Sequence, residues 1–227
     1  MSTTVLVTTK GYDVMTGRMK GSTPTQAEPL FVGWGLGGVG TGSPYTAATS
    51  DIAPFQEGPS GDYSSRITGT SSQATVTTPN DTYQVVGTVT ASTGETIAEM
   101  FLADSATRPQ ATTVAAGGST VIGSATNTTM NVASASGFPG SGNYYVQVDT
   151  EVMEVTGGQG TTTWTVVRGA NGSTAISTIS AADKVTAGNI PGSTTISGGT
   201  IFTKASFTGL ALNSGDSIQG TFKVTVS

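Results

Sequence analysis

The sequence contains no cysteine and no histidine, and only 10% of its residues are charged, against about a quarter in ordinary proteins. The missing thiols exclude a nucleophilic cysteine, a disulfide and a cysteine-ligated zinc or iron–sulfur site. The missing imidazoles exclude a Ser-His-Asp triad and a histidine general base. The net charge of −5 argues against a nucleic-acid partner, because binding a phosphate backbone requires clustered Lys and Arg.

Small and β-branched residues dominate what remains. Threonine and serine supply 68 of the 227 residues, and 32 more are glycine. Thr, Val and Ile favour pleated strands, whereas the helix formers Leu, Glu and Lys are scarce. No apolar run reaches the roughly eighteen residues of a membrane helix, and the N-terminus lacks the pattern of a signal peptide. The composition predicts an all-β protein with no membrane partner, made in the cytoplasm.

Short apolar or alternating segments near both ends of the chain predict the strands of a main domain. Residues 95–102 fit either a strand or a helical turn, and residues 10–28 and 43–69, rich in Gly and Pro, are predicted to be loops. The other predicted strands of the main domain are residues 3–9, 30–35, 66–77, 83–90, 201–207 and 217–226. A connection of roughly ten residues, with a turn at residues 213–216, joins the last two of these, which favours an antiparallel pair.

Residues 111–199 differ from the sequence on either side. This segment begins and ends with Gly, Ser, Thr and Ala in linker-like proportions, and between them four short strands and tight turns predict a β-meander. We therefore expect a β-sandwich or jelly-roll-like main domain, built from residues 1–110 and 200–227. A small β domain, residues 111–199, is inserted into it.

The order of several motifs resembles small β-sandwich structural proteins in the virions of tailed bacteriophages, above all capsid decoration (cement) proteins. Parts of the insert resemble a small module found in phage structural proteins. In shorter relatives the last two main-domain motifs follow closely on the third, whereas in this chain the insert separates them. The main-domain motifs are residues 31–35, 80–89, 97–102, 202–207 and 212–218, and those of the insert are residues 136–139, 144–149, 151–155 and 165–174.

This resemblance implies a structural protein on the capsid surface of the virion, with no enzymatic activity and no cofactor. The implied partners are the major capsid protein, whose neighbouring copies it would bridge, and copies of itself, for instance in a trimer. The alternative is a tail-fibre, head-fibre or tail-tip module that binds host-surface glycans. Tyr144, Tyr145 and Trp164 of the insert are the aromatic residues that favour this alternative.

A few cations and one aromatic residue are the candidate partner-binding groups. The stretch 10–20 carries three cations and one acid, Asp13, so it is the best candidate for an arm that faces the capsid. An ordinary solvated loop is the competing interpretation. The candidates are Lys10, Arg18, Lys20, Trp34 and Arg66. For Trp34, packing in the core is the interpretation that competes with a role at an interface.

Three carboxylates cluster around one predicted turn, at Asp149, Glu151 and Glu154. Such a cluster could supply the carboxylate pair of a glycoside hydrolase or oxygen ligands for calcium, but its spacing lacks the pattern of an EF-hand loop. A plain hairpin is the simplest interpretation, with Arg168 paired across the strands to Glu151 or Glu154. We therefore expect no catalytic site and no metal site.

Overall fold

The described residues of the computed structural model are 3–20, 27–36, 46–49, 51, 53–54, 57, 66–91, 94–106, 110–115, 125–136, 138–149, 151–170, 173–187 and 201–226. Within these ranges the chain forms fourteen strands in three sheets, and one helix. The predicted all-β, sandwich-like class is confirmed. No helix in this part of the chain has the length and hydropathy needed to cross a membrane.

The five-stranded sheet joins the two ends of the chain. Its strands are β1 (Thr3–Val7), β2 (Phe31–Gly35), β3 (Ile67–Thr68), β6 (Glu95–Ala103) and β13 (Ile201–Leu212). The spatial order is β1-β13-β6-β2-β3, and every pairing is antiparallel. Because β13 lies between β1 and β6, this sheet is complete only after the C-terminal segment has been added.

A three-stranded sheet covers one face of the five-stranded sheet. It contains β4 (Thr70–Ala74), β5 (Thr82–Thr90) and β14 (Ser217–Thr225), in the order β14-β5-β4. Gly87 and Gly220 lie directly opposite each other on β5 and β14. A Cβ on Gly87 would lie 2.8 Å from the side chain of Val32, so glycine at this position lets the two sheets approach closely. The apolar core lies between them.

The expected pairing of the last two strands is wrong. β13 pairs with β1 and β6, whereas β14 pairs with β5 in the other sheet. Residues 213–216 form a corner between the sheets, where the N–H of Ala91 donates to Asp216 O at 2.8 Å and that of Gly215 donates to Ala91 O at 2.8 Å. Alternation of apolar residues predicts a strand and its buried face, but it does not select the partner strand.

A helix, α1 (Thr9–Met19), occupies much of the stretch predicted to be a loop. Thr8 caps its N-terminus, where the hydroxyl accepts a hydrogen bond from the N–H of Gly11 at 3.0 Å. Gly11 and Gly17 lower the intrinsic helix propensity, which is why the sequence pattern indicates a loop. Packing of α1 against β13 supplies the stability that propensity lacks.

The remaining strands form a separate six-stranded sheet with its own core. They are β7 (Gln110–Thr113), β8 (Thr129–Asn131), β9 (Tyr144–Val148), β10 (Glu151–Gly157), β11 (Thr163–Val167) and β12 (Lys184–Ala187), in the order β7-β12-β9-β10-β11-β8. A bridge between Val114 and Val132 brings the two edges of the sheet together, so that it curls on itself. We call this unit the small barrel. Trp164 lies fully buried at its centre.

Two strands of the small barrel, β7 and β12, lie at the ends of the insert. Neither strand was predicted from the sequence. Both lie within or beside the two segments that resemble linkers because they are rich in Gly, Ser, Thr and Ala. The buried positions in these strands, or directly after them, are Thr112, Val114, Val185 and Thr186. Half of these are threonines, which pack in strands but carry little apolar signal.

Asp81 organises the turn between β4 and β5. Its carboxylate accepts hydrogen bonds from the N–H groups of Thr78 (2.7 Å), Val76 (2.9 Å) and Thr77 (2.7 Å), and from the hydroxyl of Thr82 (2.9 Å). These bonds, led by that from Thr78, hold the pKa of Asp81 well below its usual range. The ionised carboxylate is therefore favoured by the folded state.

We expect the contribution of Asp81 to stability to be complete above its unfolded pKa of about 3.9. It is lost as the pH falls towards the lower pKa of the folded state, because protonation then removes an acceptor that the turn needs. A carboxyl titration by NMR should place the midpoint of Asp81 below the ordinary Asp range, and Asp81→Asn should be less stable than wild type at neutral pH. An ordinary midpoint would contradict this prediction.

Candidate functional site

An apolar groove of about 470 Å³ lies between α1, β5 and the C-terminal end of β14. Phe202 and Tyr83 form its floor, with their rings edge to face at a centroid distance of 6.5 Å. α1 supplies one wall through Val14, Met15 and Met19, and β14 contributes Val224, followed by Val226. We call this feature the α1 groove.

Two side chains on the rims of the α1 groove leave apolar surface in water. Met19 is 72% exposed and Val226 is 62% exposed, and both line the groove. Single exposed apolar residues are common on protein surfaces. Two of them on facing rims of one apolar concavity form a patch of the kind that marks interaction sites.

The polar groups of the groove are arranged around Tyr83. Its hydroxyl donates to the carbonyl of Pro29 at 2.9 Å and lies 3.2 Å from Glu28 Oε1. Burial, followed by the negative charge of Glu28, raises the pKa of Tyr83 above its usual range, so the hydroxyl remains protonated. Arg18 extends from the last turn of α1 and is solvent-exposed. The groove thus presents an available cation beside apolar surface.

Three of the predicted partner-binding residues lie on α1 or at its C-cap. Arg18 lines the groove, Lys20 is exposed at the C-cap, and Lys10 lies near the N-terminus with its Nζ 4.0 Å from Asp13 Oδ2. The sequence analysis placed these cations on a loop, whereas they lie on a helix. A helix holds them in a defined spacing along one element.

Trp34 and Arg66 do not belong to this surface, which corrects their selection as partner-binding residues. Trp34 is fully buried in the sandwich core. Arg66 donates from Nε and Nη2 to the two carboxylate oxygens of Glu57, at 2.8 and 2.9 Å, and its guanidinium lies 4.9 Å from the ring centre of Phe101. Both residues come from the stretch predicted to be a loop, and both are buried, so Arg66 is removed from water.

Glu151 has a structural environment and does not face a cleft. It is fully buried and accepts two hydrogen bonds from Arg168, at 2.7 Å each. The N–H groups of Gly169 and Ile176 also donate to it, at 2.8 and 3.0 Å. The expected pairing of Arg168 is thus confirmed, with Glu151 as the partner. These donors occupy both oxygens, as in a bidentate structural ion pair.

The other two carboxylates of the cluster are placed apart from Glu151. Glu154 accepts a hydrogen bond from the Asn143 amide at 3.0 Å, and Asp149 occupies the turn between β9 and β10 with a φ of 49°. Aspartate tolerates this left-handed conformation better than most residues. In the described ranges, no group of three or more acidic side chains is positioned to hold a metal ion.

Two of the rings that favoured glycan binding are core residues of the small barrel. Tyr144 and Trp164 are both buried, and each packs against Phe138, at centroid distances of 5.7 and 4.8 Å. Burial raises the pKa of Tyr144 to about 12. Sugar stacking needs an exposed ring face, which these two side chains do not offer.

The α1 groove itself was not predictable from the order of the residues. Its walls combine residues from α1, β4, β5, β13 and β14, which are distant along the chain. One local signal was present, because Val14 and Arg18 are four residues apart, as are Met15 and Met19, the spacing of neighbours on a helix surface.

The small barrel is attached to the sandwich by a reciprocal pair of hydrogen bonds. The N–H of Glu57 donates to Gln147 Oε1 at 3.2 Å, and Gln147 Nε2 donates to the carbonyl of Glu57 at 3.2 Å. Gln147 is buried, so this contact fixes β9 against Glu57. The side chain of the same Glu57 forms the ion pair with Arg66.

Comparisons with family models, curated proteins and solved structures give no match for this chain.

Proposed function

We propose that the protein is a structural component of a tailed-phage virion, which decorates and stabilises the capsid by bridging neighbouring copies of the major capsid protein. The observation that carries this proposal is the α1 groove, an apolar concavity with exposed Met19 and Arg18 on its helical wall. The virion setting rests on the motif resemblance in residues 31–35, 80–89, 97–102, 202–207 and 212–218.

The charge around the groove specifies the chemistry of its occupant. Arg18 and Glu28 are the charged side chains that line the groove; Glu28 lies against the Tyr83 hydroxyl, whereas Arg18 is exposed on the helical wall. Arginine binds carboxylates through two parallel hydrogen bonds. We therefore assign to the groove an apolar surface segment of the capsid protein that carries a carboxylate next to its apolar side chains.

Stabilisation of the shell follows from mass action. A protein that binds the assembled capsid and not separate subunits stabilises the assembled state in proportion to its binding free energy. Many copies on a symmetric shell add their contributions, so each contact can be individually modest. Methionines on the wall suit this role, because the flexible thioether adapts to the surface it meets.

Cosedimentation with expanded capsids that lack this protein tests the proposal. We expect saturable binding of the wild type and a raised disruption temperature of the shells. Arg18→Glu and Met19→Glu should each weaken binding tenfold or more, which corresponds to about 1.4 kcal/mol. Lys223→Glu is the matched control for Arg18→Glu, because it also replaces a cation by a carboxylate. Lys223 is exposed on β14 and does not line the groove.

Two outcomes would contradict the proposal. The first is no binding of the wild type at low and moderate salt. The second is an equal loss of binding in Lys223→Glu and Arg18→Glu, since that would reflect net charge and not the groove. Binding to host cells that both groove variants retain would instead support the glycan-adhesion alternative.

A further inference from the structure

A lysine and two carboxylates are buried together on the five-stranded sheet. Lys204 Nζ lies 3.0 Å from Asp51 Oδ2 and 2.7 Å from Glu99 Oε1. All three side chains have no solvent exposure. We call this group the Lys204 cluster. It is separate from the α1 groove, which none of its members lines.

The Lys204 cluster lies on the outer face of the five-stranded sheet, the face turned away from the three-stranded sheet. Lys204 on β13 is directly opposite Phe101 on β6, and Glu99 precedes Phe101 by two residues on the same face. Asp51 comes from residues 46–57, whose described positions cover this face. There the N–H of Ala47 donates to Ser206 Oγ at 3.1 Å.

The surroundings of the cluster exclude water. Phe101, opposite Lys204, and Ala47, bonded to Ser206, are both buried, and the guanidinium of Arg66 lies 4.9 Å from the centre of the Phe101 ring. A dry ammonium with two carboxylates carries a net negative charge when all three are ionised, and desolvating such a group commonly costs more than ion pairing returns. Ion pairing alone is therefore a weak reason to bury these three groups together.

The same arrangement meets the requirements of amide formation. An amine is held in contact with a carboxyl group, a second carboxylate is within reach of the same nitrogen, and water is excluded from the site. We propose that Lys204 and Asp51 form an intramolecular isopeptide bond, and that Glu99 transfers the protons. The proposal is independent of the capsid-binding function.

The reaction balances without any co-reactant. Glu99 takes one proton from the Lys204 ammonium and passes it to the carboxylate of Asp51. The nitrogen lone pair then attacks Asp51 Cγ, forming the C–N bond and a tetrahedral intermediate. Glu99 carries a second proton from this nitrogen to the hydroxyl on Cγ, the C–O bond breaks, and one water leaves. The ammonium and carboxylate have become an amide and water, and Glu99 is restored.

Asp51 is the electrophile because its carboxylate is polarised from two sides. Oδ2 accepts hydrogen bonds from both Lys204 Nζ and the N–H of Ala48, each at 3.0 Å. An isopeptide bond between Lys204 and Asp51 would also have a structural consequence. Asp51 lies outside the strands, whereas β13 is an interior strand of its sheet. The bond would therefore tie Asp51 to the sheet and close a covalent ring that contains the small barrel.

Intact mass spectrometry of the purified, folded protein tests the proposal. We expect a mass lower than that of the sequence by one water. Trypsin should yield residues 21–66 joined to residues 185–223, because the modified Lys204 is no longer a cleavage site. Lys204→Arg and Asp51→Ala should restore the full mass. Lys223→Arg should keep the loss of water, as a control for an exposed lysine.

The role of Glu99 needs its own variants. Glu99→Gln should retain the full mass, and Glu99→Asp, which keeps a carboxylate at a greater distance, should form the bond more slowly. A folded wild-type protein with the full sequence mass after prolonged incubation would overturn the proposal. So would a loss of water that maps to other peptides. Full bond formation in Glu99→Gln would overturn the assignment of proton transfer to Glu99. If that variant does not fold, the mass of the wild-type protein still shows whether the isopeptide bond forms.

Discussion

Arg168→Ala is expected to destabilise the small barrel by about 3–5 kcal/mol, because it leaves the carboxylate of Glu151 buried without its cation. Glu151 is fully buried and Arg168 is 5% exposed, so water cannot replace the lost hydrogen bonds without opening the structure. The N–H groups of Gly169 and Ile176 would remain as donors, but neither carries a charge. The measurement is urea unfolding followed by the fluorescence of Trp164.

Two matched variants make this prediction specific. The chain has two tryptophans, and Trp34 lies in the sandwich core whereas Trp164 lies in the small barrel. A Trp34→Phe background therefore makes the fluorescence report on the small barrel alone. The double variant Glu151→Gln with Arg168→Met should lose less stability than Arg168→Ala, since no buried charge is left unpaired and the amide oxygen of Gln can still accept a hydrogen bond from a backbone N–H. A loss below about 1 kcal/mol in Arg168→Ala, as for an exposed ion pair, would contradict the prediction.

The same substitution at two glycines of α1 is expected to have opposite effects. A Cβ at Gly11 would overlap the carbonyl oxygen of Phe202 and lie 2.7 Å from Val7 Cγ1, whereas a Cβ at Gly17 would meet nothing within 4 Å. Gly11→Ala should therefore displace the helix and lower stability by about 1–3 kcal/mol, as overpacking does. Gly17→Ala should raise stability by about 0.5–1 kcal/mol through its better helix propensity.

Thermal and urea unfolding of both variants check this pair of predictions. Because α1 forms a wall of the groove, Gly11→Ala should also weaken capsid binding, whereas Gly17→Ala should leave it unchanged. Equal stability of the two variants would mean that α1 does not depend on close contact with β13. Packing against that strand would then no longer account for a helix in this glycine-containing segment.

Most strands were predictable because their apolar residues alternate or cluster locally. In β5, Val85 and Val89 are four residues apart, so strand alternation puts them on one face, and both are buried in the core. The threonine-rich β7 and β12 escaped detection because a threonine packs in a strand without a clear apolar signal. α1 escaped because its glycines lower the helix propensity, whereas its close packing against β13 at Phe202 depends on the rest of the chain.

The candidate residues show the same limit. Arg18 and Lys20 are exposed, as their charge predicts. Opposite charges on neighbouring strands predicted that Arg168 pairs with Glu151 or Glu154, and the partner is Glu151. Arg66 has the same chemistry in the sequence, yet it lies over Phe101 in a buried pair with Glu57. Charge alone could not separate these cases, because burial depends on what the rest of the chain places over each side chain.

The amino-acid sequence was sufficient to predict the all-β class and the positions of most strands, and to exclude sites that need a cysteine or histidine of this chain. These properties depend on composition and on neighbours a few residues apart. Three features emerged only in the folded chain: β13 and β14 lie in different sheets, a helix borders a groove, and Lys204 meets Asp51 and Glu99. Each of these contacts joins residues far apart in the chain, and close packing of whole elements, not local pattern, selects among such contacts.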